Sequence, residues 1–212
     1  PVICHEMGQI CAYPDYDIVE KYTGYMQPGN YKVFRENARA NGILPYAKEF
    51  VKCSGENQLR LYKEELEANF RTPQLQGFEL LDLHDYLGQG TALVGILDAF
   101  WENKGYGSPE EFRNYCGDTV LLARCGSFVW KNTDTAVIPV EVCHYGKNSI
   151  LNGVIQWSLQ HGDEILQAGE LMVDEIPEGG NTKAGEVTLC FEEILADYRK
   201  RMSGASSIGS ME

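Results

Sequence analysis

The spacing of apolar and polar residues divides the chain into two parts of different character. Up to about residue 117, short apolar runs alternate with stretches of helical periodicity; beyond it, apolar residues tend to occupy every second position. In the first part, the runs Pro1–Cys4 and Gly77–Asp85 are typical of buried strands, and Gln58–Phe70 has apolar residues at helical spacing. The order strand, helix, strand predicts a parallel sheet with a helical crossover.

Further helices are predicted in the same part. Asn30 is a candidate cap for a helix that ends near Gly42, and a second short helix covers 44–51. Ser108-Pro109-Glu110-Glu111 has the pattern of a capping box, with serine at the cap, proline in the first turn and glutamate three residues after the serine. The long stretch 11–55 is interpreted as an excursion inserted at a functional rim.

The second part has the pattern of an antiparallel β-sandwich. Apolar residues alternate with others in 136–142, 155–159 and 187–191, and turn residues separate these segments. We place the boundary between the two parts near 117–120. Helical spacing returns in 192–202, and the small, polar residues 203–212 predict a disordered tail.

Composition and charge exclude several classes of protein. No apolar run approaches the roughly 18 residues of a membrane span. Eighteen basic and thirty-one acidic residues give a net charge of −13, which argues against a nucleic-acid partner and fits a neutral substrate. The seven cysteines contain no C-x-x-C pair, so we predict neither structural zinc nor a disulfide framework, but buried free thiols.

The candidate chemistry lies where the predicted strands end. Glu6 follows the first apolar run, with His5 and Gln9 beside it. Neutral-sugar hydrolysis needs two carboxyl groups, polar side chains for the hydroxyls and aromatic faces for the ring. The second strand and the predicted insertion offer further candidates for such a site: Asp82, His84, Asp85, Tyr13 and Tyr16.

Each of these residues also has a purely structural interpretation. Glu6 could be a solvated carboxylate at a strand end, and His5 a satisfied core histidine. Asp82 and Asp85 could cap a loop through backbone N–H groups, and the tyrosines could simply pack. The residues alone leave these alternatives open.

Three segments resemble a known family. Pro1-Val-Ile-Cys-His-Glu-Met-Gly8 resembles the nucleophile segment of glycoside hydrolase family 2, in which an apolar strand ends in Glu-x-Gly. Phe70-Arg-Thr-Pro-Gln-Leu-Gln-Gly-Phe78 is similar to the passage that precedes the last barrel strand in β-galactosidases of this family. The sequence from Asn148 to Leu159 is similar to the sandwich that follows the barrel.

The resemblance implies a fold that is α/β plus all-β. Residues 1–118, with an insertion at 11–55, would be the C-terminal portion of a (β/α)8 TIM barrel. Residues 119–195 would be an immunoglobulin-like β-sandwich, and 196–212 a helical or disordered tail. Glu6 would be the nucleophile of a retaining β-glycosidase that needs no cofactor and no metal.

Two departures from the family pattern limit what the resemblance implies. Leu81 stands where the family has a tryptophan beneath the sugar, and the acid/base glutamate of the fourth barrel strand has no counterpart. The expected protein is therefore a retaining β-glycosidase, or a C-terminal fragment of one that is inactive alone. The alternative is a non-catalytic carbohydrate-binding or assembly module.

The resemblance also implies partners and a location. The ligand would be a β-glycoside, as an oligo- or polysaccharide. Uncovered strands would pair with the remainder of a glycosidase chain or with a second copy, and the location would be periplasmic or secreted. We predict no contact with nucleic acid or membrane.

Overall fold

A computed structural model describes residues 2–86 and 92–208 of the chain, with side chains up to residue 203. The chain divides into two compact units, Pro1–Gly117 and Asp118–Glu212, here called unit 1 and unit 2. In the described part of the chain, no helix combines the length and apolar character needed to cross a membrane.

Unit 1 combines a small parallel sheet with helices. Its elements, in order, are β1 (Val2–Met7), a 3-10 helix (Tyr16–Lys21), α1 (Gly29–Ala40), a 3-10 helix (Leu44–Tyr46), α2 (Ala47–Phe70), β2 (Leu75–Leu80) and α3 (Pro109–Tyr115). β1 and β2 pair in parallel, from Val2 opposite Leu75 to Met7 opposite Leu80. The predicted order of strand, helix and strand is confirmed over this stretch.

The periodicity of the sequence predicts where the helices of unit 1 lie better than it predicts where they begin and end. α2 begins at Ala47 rather than at Gln58, because the short helix predicted for 44–51 continues into it. The capping box at Ser108 is confirmed, since its hydroxyl accepts a hydrogen bond from the backbone N–H of Glu111, whose carboxylate accepts one from the backbone N–H of Ser108. Asn30 is not the cap of α1, which begins one residue earlier.

Two apolar clusters hold unit 1 together. One joins the first 3-10 helix (Tyr16–Lys21) to α1 and α2, and it includes Tyr16, Ile18 and Tyr31. The other joins β1, α2 and α3 through Met7, Tyr62 and other buried residues. Tyr62 is fully buried, and its hydroxyl lies 2.8 Å from the carbonyl oxygens of both Asp82 and Val94, which fixes the loop after β2 against α2.

The prediction that unit 1 is the C-terminal portion of a TIM barrel is wrong. β1 and β2 form a two-stranded sheet, and the described residues between Leu80 and Thr119 contain no further strand, only isolated β-bridges and α3. In a barrel, the backbone groups of this stretch would pair with a neighbouring strand. Here they pair within the loop: Asp85 N–H donates to Leu97 O, and Ile96 N–H donates to Leu83 O. The carboxylate of Asp98 accepts hydrogen bonds from two backbone N–H groups, which stabilises a turn at the end of the apolar run 92–101.

Unit 2 contains two antiparallel sheets and a C-terminal helix. Its elements are β3 (Thr119–Ala123), β4 (Thr135–His144), β5 (Ile150–His161), β6 (Glu164–Ile176), β7 (Gly180–Cys190) and α4 (Phe191–Ile208). One sheet has the order β3-β4-β7, and the hairpin β5-β6 forms the other. Ala136 and Val187 of the first sheet share a core with Trp157 and Leu171 of the second.

The prediction of an immunoglobulin-like sandwich is also wrong. The described residues of unit 2 form five strands, in sheets of three and two, whereas an immunoglobulin-like sandwich has about seven. The difference arises because β5 and β6 are 12 and 13 residues long and pair along their whole length as one hairpin. Alternation along the sequence shows which side chains face inward, but it does not show where a strand finds its partner.

Residues 203–208 are helical, although their composition predicts disorder. The helical spacing of 192–202 lies within α4, which extends to Ile208 through the first part of the predicted disordered tail. The last four residues of that tail, and 87–91 of the glycine-rich loop, lie outside the described residues.

Candidate functional site

Glu6 lies at the carboxyl end of β1, where the strand departs from regular pairing. The register with β2 shifts between Cys4 and Met7. The backbone of Glu6 has a φ of 58°, a left-handed conformation that few residues with a side chain adopt. Strained positions of this kind occur often at functional sites, because the surrounding structure holds a side chain where it is needed.

Two neighbouring side chains orient the Glu6 carboxylate. The amide of Gln9 donates to Oε2 at 2.9 Å, and Nε2 of His5 lies 3.5 Å from Oε1. Each oxygen of the carboxylate therefore has its own polar neighbour. The structure brings together the three residues that the sequence placed at the end of the first strand.

His5 connects Glu6 to a second carboxylate. Its Nδ1 lies 2.7 Å from Oε2 of Glu79 on β2, so one imidazole ring contacts two acidic side chains. A neutral imidazole donates from one nitrogen only, whereas the protonated ring donates from both. Because all three side chains are about half exposed or more, water screens these contacts, and they orient the groups more than they stabilise the fold.

The loop after β2 carries a second polar group. Nδ1 of His84 lies 2.9 Å from the carbonyl oxygen of Asp85 and 3.8 Å from the carboxylate of Asp82. Asp82 accepts the backbone N–H of Leu83 at 2.6 Å, which is the loop-capping role that the sequence left open.

Trp101 is a functional candidate that the sequence reasoning missed. Its ring lies against His84 at 4.4 Å between ring centroids, with an interplanar angle of 80°. Trp101 is 61% exposed, and its backbone φ of 65° lies in the left-handed region. The residue therefore presents a large aromatic side chain to solvent. An apolar run containing tryptophan is an ordinary core signal, and no pattern in the sequence marked this ring as exposed.

Asp85 is buried and does not belong to the exposed group around Glu6. Its Oδ1 accepts a hydrogen bond from Lys104 at 2.6 Å and from the backbone N–H of Gly95 at 3.1 Å. Burial raises the pKa of Asp85, and the ammonium of Lys104 opposes this effect. Asp85 therefore lines an internal cavity rather than the surface.

The two candidate tyrosines differ in their exposure. Tyr13 packs edge-on against Phe50 and lines the same cavity as Asp85. Tyr16 is buried in the core, and its hydroxyl lies 3.1 Å from that of Tyr13. Tyr16 therefore supports Tyr13 and offers no exposed ring face to a ligand.

The predicted site residues thus fall into three groups. Glu6, His5 and Gln9 form one exposed group, and Asp82 and His84 form another beside Trp101. Asp85 and Tyr13 line the cavity, and Tyr16 lies in the core beside Tyr13. Among the described residues, no cluster of histidine, cysteine or acidic side chains could hold a metal ion.

Comparison with known families gives one match. Residues 134–201 match the model of a domain of unknown function, DUF8488. This stretch lies within unit 2 and runs from the start of β4 into α4, so Glu6 and its neighbours are outside it. The search of curated proteins finds no match to the chain.

Proposed function

We propose that Glu6 is the nucleophile of a retaining β-glycosidase. The observation that carries the proposal is the arrangement of the Glu6 carboxylate. Gln9 and His5 contact its two oxygens, and the backbone of Glu6, near the end of β1, has a left-handed conformation. The resemblance of the segments 1–8 and 70–78 to glycoside hydrolase family 2 supports the same role. The proposal concerns this carboxylate and does not depend on a barrel.

The reaction has two steps in which Glu6 takes part. Its carboxylate attacks the anomeric carbon, the bond to the leaving oxygen breaks, and the departing group takes the electron pair. Water then attacks the same carbon, the bond to Glu6 breaks, and the proton of the water passes to a base or to solvent. Gln9 and His5 orient the carboxylate in both steps because they contact different oxygens.

A substrate that needs no acid catalyst tests Glu6 directly. A 2,4-dinitrophenyl 2-deoxy-2-fluoro-β-galactoside has a leaving group that departs unprotonated, and its fluorine slows hydrolysis of the glycosyl-enzyme. We expect mass spectrometry of the digested protein to find the fluorosugar on the peptide that contains Glu6. The corresponding β-glucoside and β-mannoside extend the test to other sugars.

Two variants make the test specific. Glu6→Gln keeps the size of the side chain and removes the nucleophilic oxygen, so labelling should disappear. Glu79→Gln removes the other carboxylate in contact with His5, and labelling at Glu6 should persist. The proposal fails if none of the three sugars labels Glu6, or if the label is found on another residue.

A second candidate function is carbohydrate binding without catalysis. The exposed ring of Trp101, fixed against His84, is the observation that favours it, because aromatic faces pack against the apolar face of a sugar. Saturable quenching of tryptophan fluorescence by an oligosaccharide, lost in Trp101→Ala and accompanied by no labelling of Glu6, would favour this function over the first.

A further inference from the structure

Unit 1 contains a cavity that is separate from the Glu6 group. It has a volume of about 120 Å³ and is lined by residues of the first 3-10 helix, α1, α2 and the loop after β2. Glu6, His5 and Gln9 are not among the described residues that line it. Four of the lining side chains are ionisable acids, and two are lysines.

Asp85 presents an unused acceptor to this cavity. Its side chain is only 4% exposed. Both of its hydrogen bonds, from Lys104 and Gly95, go to Oδ1. Oδ2 accepts no hydrogen bond from any residue in 2–86 or 92–208, so it can accept one from a ligand in the cavity.

Tyr31 adds an unused hydroxyl. The residue is 1% exposed and lines the cavity. Its hydroxyl forms no hydrogen bond within the described part of the chain, whereas those of Tyr62 and Tyr106, equally deep in unit 1, do. Burial raises the pKa of Tyr31, and the nearby Asp85 carboxylate raises it further, so the phenol keeps its proton and can donate.

The lysine in the wall supplies a donor. The ammonium of Lys104 donates to Oδ1 of Asp85 and, at 2.7 Å, to the carbonyl oxygen of Gly95, so one of its three N–H groups is left. The cavity wall therefore offers an acceptor, a group that both donates and accepts, and a donor.

The charge of the wall disfavours ionic ligands. Asp85 is paired with Lys104, and Asp98 is paired with Lys21 at 2.5 Å. The other two carboxylates of the wall, those of Asp15 and Asp17, are paired with Lys48. An anion would meet the carboxylates, and a cation would meet the two ammonium groups. A neutral ligand with several hydroxyl groups satisfies all three unused groups without adding charge. The ring of Tyr13 adds an aromatic face to the same wall.

We propose that this cavity is a binding site for a small neutral polyol of about the size of glycerol. Its volume is slightly below that of the roughly 150 Å³ cavity that accommodates benzene, and it is partly open to solvent. Oδ2 of Asp85 accepts a ligand hydroxyl, and the Tyr31 hydroxyl and Lys104 ammonium bind its oxygens. The site does not require hydrolysis at Glu6.

Calorimetric titration of the full chain with D-galactose and with glycerol tests the proposal. We expect saturable binding of glycerol, weaker or no binding of the larger D-galactose, and no binding of inorganic phosphate. Tyr31→Phe removes only the hydroxyl and should weaken binding about fivefold to tenfold, the usual effect of one hydrogen bond. Because this hydroxyl has no partner in the described protein, we expect the variant to fold.

Tyr115→Phe is the matched control. The Tyr115 hydroxyl is also buried without a partner in the described part of the chain, but it belongs to the other apolar cluster and does not line the cavity. Its removal should leave binding unchanged. In the unsubstituted protein, the ligand should also slow hydrogen exchange in 93–104, which provides a measurement independent of any variant.

Several outcomes would overturn the proposal, and they differ from those that test Glu6. Absence of polyol binding, binding of phosphate instead, or equal affinity in Tyr31→Phe and the unsubstituted protein each contradict the cavity site. Binding that is lost in Glu6→Gln and retained in Tyr31→Phe would place the sugar at the Glu6 group. Loss of labelling at Glu6 alone leaves the cavity site standing.

Discussion

Replacement of Gly8 by alanine should destabilise unit 1 for two separable reasons. Gly8 has a φ of 85°, which an alanine adopts only with strain. A Cβ at this position would lie 2.4 Å from Cε1 and 2.7 Å from the hydroxyl oxygen of Tyr62. The ring cannot move easily, because it is fully buried and its hydroxyl is bonded to the loop after β2.

Gly42 separates the two contributions. Its φ is 70°, but a Cβ there would meet no atom within 4 Å. Alanine in the left-handed region costs about 1–2 kcal/mol at either position. Forcing an extra methyl group into a packed interior costs about a further 1–3 kcal/mol. We therefore expect Gly42→Ala to lose about 1–2 kcal/mol and Gly8→Ala about 2–5 kcal/mol.

The assay must report on unit 1 by itself. Native-state hydrogen exchange in increasing urea gives an opening free energy for each peptide, and the slowest peptides of α2 and β2 report on unit 1. A difference between the two variants below about 0.5 kcal/mol, the usual scatter of neutral substitutions, would refute the crowding by Tyr62. Gly42→Ala should also leave the labelling of Glu6 unchanged, whereas Gly8→Ala should reduce it.

Two further predictions concern pH and thiol chemistry. A hydrogen bond from the Arg124 guanidinium lowers the pKa of Glu141 below its ordinary value of 4.5. The stabilisation is therefore complete above pH 4.5 and is lost as the pH falls through the lowered pKa. The free energy of opening in unit 2, measured by hydrogen exchange and corrected for the intrinsic exchange rate at each pH, should therefore fall in acid, and less so in Glu141→Gln; an equal fall in both proteins would contradict this. None of the seven cysteines is in a disulfide. Burial raises the pKa of Cys143 to about 11, so at pH 8 iodoacetamide should modify it far more slowly than the exposed thiols; comparable rates by peptide mass spectrometry would contradict this. The exposed thiols are Cys11, Cys53 and Cys125.

The thiols show what composition alone predicts. The sequence has no paired cysteine motif, and none of the seven cysteines is in a disulfide in the structure. The expectation that they are buried is wrong for all but Cys143, since three are exposed and three are partly exposed. Burial depends on which elements cover a residue. The candidate site shows the same difference: the sequence gives the type of each residue, but the fold decides which residues surround it.

Local sequence determined the features whose partners are close along the chain. The stripe of apolar residues in α2, the capping box of α3 and the alternation in β4 and β7 follow from periodicity and from hydrogen bonds within one turn. The contact between Gln9 and Glu6 belongs to the same class, since the two residues are three positions apart. These features could be predicted because few alternative partners compete over such short separations.

Only the tertiary structure decided the contacts that join distant segments. His5 meets Glu79, the N–H of Gly8 meets the carboxylate of Glu65 at 2.9 Å, and Asp85 meets Lys104. Periodicity shows which side of an element faces inward, but it contains no information about which strand or loop covers that side. The barrel and the immunoglobulin-like form of the sandwich were implied by the resemblance, and both are wrong because the strands choose other partners. Glu6 and its close neighbours could be found from the sequence, whereas the exposed ring of Trp101 and the cavity beside Tyr31 exist only because segments far apart in the chain close around them.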